Sequence, residues 1–219
     1  MSNEKRLLYR GILFLTLFSV WTGLIQVVDV QSIGPMESEV GFAALNCWFH
    51  ELTGVHMWIY TITDWLGLVP IGICLMFGGL GFIQMIKRKS IWKVDFDIIA
   101  LGIYYILVIL GYLVFEMIPI NNRPVLIDGL LEASYPSSTT LLVLSVMLTF
   151  LFQINRRLKK AKVKKLLCIL TIGFSLFMVI GRLIAGVHWL TDIVGSILLS
   201  MGLFFMYQAV VESKKNGEV

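Results

Sequence analysis

The sequence predicts an all-α polytopic membrane protein with six transmembrane helices, and three observations carry that prediction. Hydrophobic residues fill 58% of the 219 positions and charged residues only 15%, with a mean hydropathy of +0.84. A soluble domain holds about 45–50% apolar residues and about 25% charge, and a chain this size cannot hide the surplus in a water-soluble core. Six stretches, at approximately 9–28, 62–86, 98–118, 137–155, 166–186 and 190–211, reach the roughly 20 apolar residues needed to cross a hydrocarbon core. All but two of the 18 Lys and Arg residues lie in alternate connections, the pattern of a chain whose short cytoplasmic loops collect positive charge. Together these exclude a disordered chain, a soluble nucleic-acid binder and a disulfide-stapled secreted domain.

Taken in order, the first span follows Lys5, Arg6 and Arg10 like a signal peptide. Its length and the lack of a small-residue cleavage site predict a retained anchor. Pro35 then precedes Val40, Ala44, Leu45, Trp48, Phe49 and Leu52, a one-sided helical spacing that predicts an interfacial outer segment over about 36–56. Pro70 marks a kink candidate in the second span. Lys87, Arg88, Lys89 and Lys93 separate spans two and three, and Lys214 and Lys215 follow span six. The run RRLKKAKVKK at 156–165 separates spans four and five; it is expected to rest on anionic lipid headgroups. Both termini are then cytoplasmic. No internal repeat interrupts what reads as one membrane domain over 1–219. Cys47, Cys74 and Cys168 lack metal-ligand spacing, so neither a disulfide framework nor a zinc site is expected. The net charge of +4 speaks to orientation and anionic lipid, not to nucleic acid.

The two basic residues that break the orientation rule, Arg123 and Arg182, fall on the outer side with His50, His56, His188 and most of the acids. Three outer clusters result: INNRPVLIDG after span three, YPSSTT opening span four, and GRLIAGVHWLTD joining spans five and six. An arginine fork matches a phosphate, and two neutralise most of its charge. Hydroxyls and free N–H groups at a helix start favour an anion. His188 and Asp192 are four residues apart, so on a helix a carboxylate can hold the imidazole by one nitrogen and leave the other free to attack. This combination reads as phosphoryl transfer through a phosphohistidine.

These residues resemble the type 2 phosphatidic acid phosphatases, the PAP2 superfamily, membrane relatives of the vanadium haloperoxidases. The family pattern runs K-x6-R-P, then P-S-G-H, then S-R-x5-H-x3-D on a six-helix core. Arg123-Pro124 matches the end of the first motif and Pro136-Ser137 the start of the second; Arg182, His188 and Asp192 match the third with its spacing intact. The resemblance implies a PAP2-like helical core, with His188 as nucleophile and Asp192 orienting it. Arg123 and Arg182 would hold the phosphate; Ser137 would donate to it, helped by the main chain at Ser138 and Thr139. It further implies a membrane lipid phosphate or diphosphate as substrate, of the phosphatidic acid, phosphatidylglycerophosphate or undecaprenyl diphosphate class, and no metal or cofactor.

The chain departs from the pattern at four places. Glu116 replaces the lysine, Thr139 the leaving-group histidine, Ser138 the glycine, and Gly181 the serine before Arg182. Without its acid the site is expected to favour diphosphates, whose leaving group needs no proton. His50 and His56 are accessory candidates for the missing acid, and Glu116 for pairing with Arg123 or with a cationic substrate group. The alternative is a catalytically impaired member of the fold that binds or transports a lipid phosphate. Gly173-Phe174-Ser175-Leu176 raises an intramembrane serine protease but lacks the final glycine. Short loops and unpaired cysteines suit a bacterial plasma membrane, with the site on its outer face; the sequence is silent on oligomeric state.

Overall fold

A backbone in hydrocarbon must satisfy its polar groups internally, and in the computed structural model helices do this over nearly the whole chain. Residues 2–216 are described; Met1 and 217–219, part of the domain expected over 1–219, lie outside the described residues, as do the side chains of Lys215 and Asn216. The helices are α1 (Asn3–Ile25), α2 (Ala43–Thr53), α3 (Met57–Leu66), α4 (Leu68–Arg88), α5 (Phe96–Met117), α6 (Ser138–Arg157), α7 (Ala161–Ile184) and α8 (Leu190–Asn216). Among the described residues, six helical segments are long and apolar enough to cross a membrane, with α3 and α4 counting as one.

Two boundaries differ from expectation. The second span begins at Met57, not 62, because α3 runs into α4 with only a break at Gly67. Thr61 and Thr63, polar enough to suggest a loop, donate their hydroxyls to the carbonyls of Met57 and Ile59 at 3.0 and 2.9 Å and so fit inside a helix. The expected segment over 36–56 is helical only from Ala43. Ahead of it, Pro35–Glu37 forms a 3-10 turn with Met36 left-handed, and Gln31 bridges Val40 in antiparallel fashion.

The lipid-facing helices carry their hydrophobic residues outward: Leu75, Met76 and Phe82 on α4, Ile103 and Ile106 on α5, Ile169 and Phe177 on α7 are all exposed. Helices α6 and α8 form the interior. This accounts for the modest hydropathy of α6, whose buried Ser145, Thr149 and Gln153 find protein partners. Thr149 donates to Ser145 O at 3.0 Å and Gln153 to the Tyr207 hydroxyl at 2.7 Å. Helices α1 and α8 lie closest. A Cβ at Gly11 would come within 2.7 Å of Met206 Sδ, and one at Gly202 within 2.8 Å of Leu15; small residues let membrane helices approach this way.

The basic end of the bundle is tied by ion pairs. Arg157 grips Asp97 through two 2.8 Å contacts and reaches Asp95 at 3.1 Å; Arg88 also meets Asp95, at 2.8 Å, and Arg156 meets Glu212 at 3.1 Å. Arg156 and Arg157, read from sequence as part of a lipid-facing run, are thus engaged within the protein. Lys159, Lys160, Lys162 and Lys165 of the same run are exposed.

Candidate active site

At the opposite end, three connections converge. The first, between α5 and α6, folds back on itself: Asp128 and Gly129 both have positive φ, at 50° and 78°, which suits a tight reversal. Ile127 bridges Leu130 across it, and Asn122 bridges Ala133. Arg123 N–H donates to Glu132 O at 3.0 Å, so the two side chains share one end of the hairpin, with Arg123 Nε 2.9 Å from Glu132 Oε2.

The second connection joins α7 to α8. Gly186 has φ 70°, and a Cβ there would sit 2.1 Å from Gly54 O, so only glycine lets this loop close against the α2–α3 link. His56 N–H donates to Ala185 O at 3.0 Å across the same seam. The loop is thereby held inside the protein and His188 is 3% exposed. Its Nδ1 lies 3.1 Å from the carbonyl of Ser134. A carbonyl only accepts, so Nδ1 carries the proton and Nε2 keeps its lone pair. Burial, reinforced by the charges of Arg123 and Arg182, pushes the His188 pKa well below its ordinary value. The imidazole is neutral at pH 7.

Asp192 was expected to hold His188 directly. Its Oδ2 is 3.7 Å from Nδ1, beyond hydrogen-bond reach, because the Ser134 carbonyl takes that proton. Asp192 instead accepts from Trp189 N–H at 2.8 Å and from Asn121 Nδ2 at 3.3 Å. It fixes the start of α8 and ties it to the α5–α6 connection, positioning His188 through the backbone. Trp189 Nε1 donates to Asn122 O at 2.8 Å and closes the same seam.

The third contribution comes from α3. Arg182 is 1% exposed; its guanidinium lies over Tyr60 with the carbon 4.9 Å from the ring centroid. Its Nη1 reaches Thr63 Oγ1 at 3.4 Å and Asp64 Oδ1 at 3.9 Å. Arg123 approaches the same Tyr60 ring at 6.0 Å, so one aromatic ring gathers both arginines. Four buried polar atoms here find no hydrogen-bond partner within the chain: His188 Nε2, Arg182 Nε, and Nε and Nη1 of Arg123. The Arg123 Nε contact with Glu132 is thus close but misdirected. Unsatisfied buried donors are costly, and a nucleophile whose pKa is lowered by the charge of two such guanidinium groups fits a site for an oxyanion.

Arg123, Ser134, Ser138 and His188 line one polar cavity of about 200 Å³ with Glu116, Glu132 and Tyr112. An apolar groove of about 520 Å³ adjoins it between α4, α5 and α6, lined by Leu68, Ile71, Val108, Ile109 and Leu142 among others. Of the residues expected to act together, Arg123, Ser138 and His188 line the cavity, whereas Ser137, Thr139, Arg182 and Asp192 do not. The Ser137 hydroxyl donates to Thr140 Oγ1 at 3.1 Å, and Thr139 lines the groove. His50 packs against Trp189 with 5.5 Å between ring centroids, and His56 Nε2 lies 2.9 Å from Thr53 O; neither lines the cavity. Glu116 lines it, but the carboxylate on Arg123 is that of Glu132. Sequence reasoning missed Tyr60, Tyr112, Asn121, Ser134 and the placement of Glu132. Only the last had a local signal, the Asp128-Gly129 pair between apolar residues.

Comparison with known proteins agrees with this architecture. The fold is similar to that of a transmembrane PAP2 type phosphatidylglycerolphosphate phosphatase from Bacillus subtilis, with a TM-score of 0.65, 16% identity, and 94% of this chain and 97% of that one covered. No curated protein matches the sequence. The profile of the PAP2 superfamily matches residues 73–215, a segment holding both arginines, His188 and Asp192, and the chain therefore belongs to that superfamily.

Proposed function

We propose that this multi-pass membrane protein is a phosphatase that hydrolyses a lipid phosphate or diphosphate through a phosphohistidine on His188. One observation carries the reading: His188 Nε2 and Arg123 Nη1, both buried and without partners in the chain, belong to residues that line one cavity, and that cavity adjoins an apolar groove. The cavity suits a phosphoryl group and the groove a hydrocarbon chain. Superfamily membership and the likeness to a phosphatidylglycerolphosphate phosphatase support the same class.

In this mechanism neutral His188 attacks phosphorus through Nε2 while Ser134 O holds the Nδ1 proton. Arg123 and Arg182 neutralise the equatorial oxygens, electrostatic stabilisation being the main catalytic lever in phosphoryl transfer. Ser134 Oγ and the first-turn N–H of Ser138 donate to the same oxygens, the second aided by the partly positive start of α6. Asp192 acts as a positioning residue. No step requires a metal. The site faces outward from the plasma membrane, both termini are cytoplasmic, and the exposed lysines of the α6–α7 connection rest on anionic lipid. The domain comprises the whole chain.

The test is phosphate release by purified protein in detergent from phosphatidic acid, phosphatidylglycerophosphate and undecaprenyl diphosphate, with His188→Ala alongside. Release lost in the variant supports the reading. Lipid binding without release from any of the three sinks it in favour of a binding or transport role.

A further inference from the structure

The polar cavity and the apolar groove share two lining residues, Tyr112 of α5 and Ser138 of α6. If the phosphoryl group occupies the cavity and the hydrocarbon the groove, as the proposed function has it, the ester oxygen joining them sits at this junction. That oxygen needs a proton when the P–O bond breaks, and the family's histidine for the purpose is here Thr139, which lines the groove only. His50 and His56 are engaged elsewhere. Glu116 and Glu132 line the polar cavity but not the groove, so neither stands where the chain leaves the phosphate.

We infer that Tyr112 is the leaving-group acid of this protein, its phenol replacing the missing histidine at the boundary between phosphate and lipid chain, and that the substrate is accordingly an alkyl phosphomonoester. The chemistry separates the two junction residues. A phenol has an ordinary pKa of about 10, several units below the roughly 16 of a water-like alkoxide, so transfer to the departing oxygen runs downhill. The Ser138 hydroxyl is as weak an acid as the leaving alcohol and offers no such drive; it can only hydrogen-bond.

The steps balance. His188 Nε2 bonds to phosphorus, the P–O bond to the lipid breaks, and the Tyr112 proton passes to that oxygen. Free alcohol, phosphohistidine and a tyrosinate result. Water then attacks phosphorus and gives a proton to the tyrosinate as the P–N bond breaks. Inorganic phosphate leaves, and neutral His188 and the Tyr112 phenol are restored. Glu116 lies one turn from Tyr112 on the same face of α5, where its carboxylate can accept from the phenol between turnovers.

The experiment compares wild type, Tyr112→Phe and Ser138→Ala on dodecyl phosphate, whose alkoxide must be protonated, and on 4-nitrophenyl phosphate, whose phenolate leaves unaided. Tyr112→Phe is expected to slow the alkyl ester by about 10²–10⁴, the usual worth of a general acid, and the aryl ester by less than about tenfold. Ser138→Ala should slow both by similar small factors. Equal losses on the two esters in Tyr112→Phe, or no loss on either, overturn the assignment and leave the phosphohistidine reading standing. A second measurement needs no variant: across alkyl and aryl monoesters, wild-type rates should depend only weakly on leaving-group acidity, and a steep dependence overturns the assignment. Failure of wild type to release phosphate from any ester overturns the assignment, and failure on undecaprenyl diphosphate as well overturns the parent reading.

Discussion

Glu132→Gln should improve phosphate binding, an unusual direction for a change inside a candidate active site. Glu132 Oε2 lies 2.9 Å from Arg123 Nε, where its charge competes with an incoming phosphate for the same guanidinium. Unit charges at that distance attract by roughly 6 kcal/mol at an effective dielectric of 20. The Glu132 side chain is 38% exposed, however, and solvent screening lowers the value of such a pair to at most about 1 kcal/mol. Since 1.4 kcal/mol is a factor of ten, the freed arginine should lower KM for a phosphomonoester, and the inhibition constant for orthovanadate, by about fivefold. Amide for carboxylate preserves shape, and the hairpin keeps its main-chain bond from Arg123 N–H to Glu132 O. Steady-state kinetics and vanadate titration in detergent read both constants. An unchanged or raised KM, with vanadate affinity following it, would show that Glu132 orients Arg123 for binding and would refute the competition argument.

Two further predictions concern stability. The pKa of His188 is held well below its ordinary value by burial and by the two arginines, so between that depressed value and about 6.5 the unfolded chain binds a proton that the folded chain refuses. Its contribution is complete above pH 6.5 and is lost as pH falls; thermal unfolding followed from pH 7.5 to 5 should show wild type losing more stability than His188→Gln, and parallel curves would contradict it. At the basic end, Arg157→Met leaves Asp97, whose side chain is 11% exposed while that of Arg157 is 31% exposed, with only the longer 3.7 Å contact to Arg156 Nε. Breaking a buried pair outright costs about 3–5 kcal/mol; the exposure of the pair and the remaining Arg156 contact reduce this to about 1–2 kcal/mol, which should appear as a lower unfolding midpoint in detergent, with vanadate affinity at the distant site unchanged.

Much of the architecture was legible because a bilayer imposes it. Length and hydropathy marked all six spans, and the alternation of Lys and Arg matched the grouping of connections at the two ends. The same rule exposed Arg123 and Arg182 as exceptions, and the spacing from Arg182 to Asp192 pointed to His188. What stayed hidden depends on backbone groups and on contacts between distant segments. No side-chain pattern announces that the carbonyl of Ser134 takes the imidazole proton, so Asp192 was credited with a contact made by main chain. The family resemblance implies Ser137 as a phosphate donor, yet its hydroxyl donates to Thr140, three residues on. Tyr60 collects both arginines from a helix read as lying largely before its span, since Thr61, Thr63 and Asp64 masked the start of that span.

The central claim is that a covalent bond forms at His188 Nε2. Rapid acid-free quenching of the enzyme with phosphorus-32-labelled phosphatidic acid, followed by peptide mapping, tests it most directly. A base-stable, acid-labile phosphoryl group is expected on the peptide containing His188, absent from His188→Ala, and formed and lost at rates consistent with turnover. Label on another residue, or continued phosphate release by His188→Ala, would contradict it.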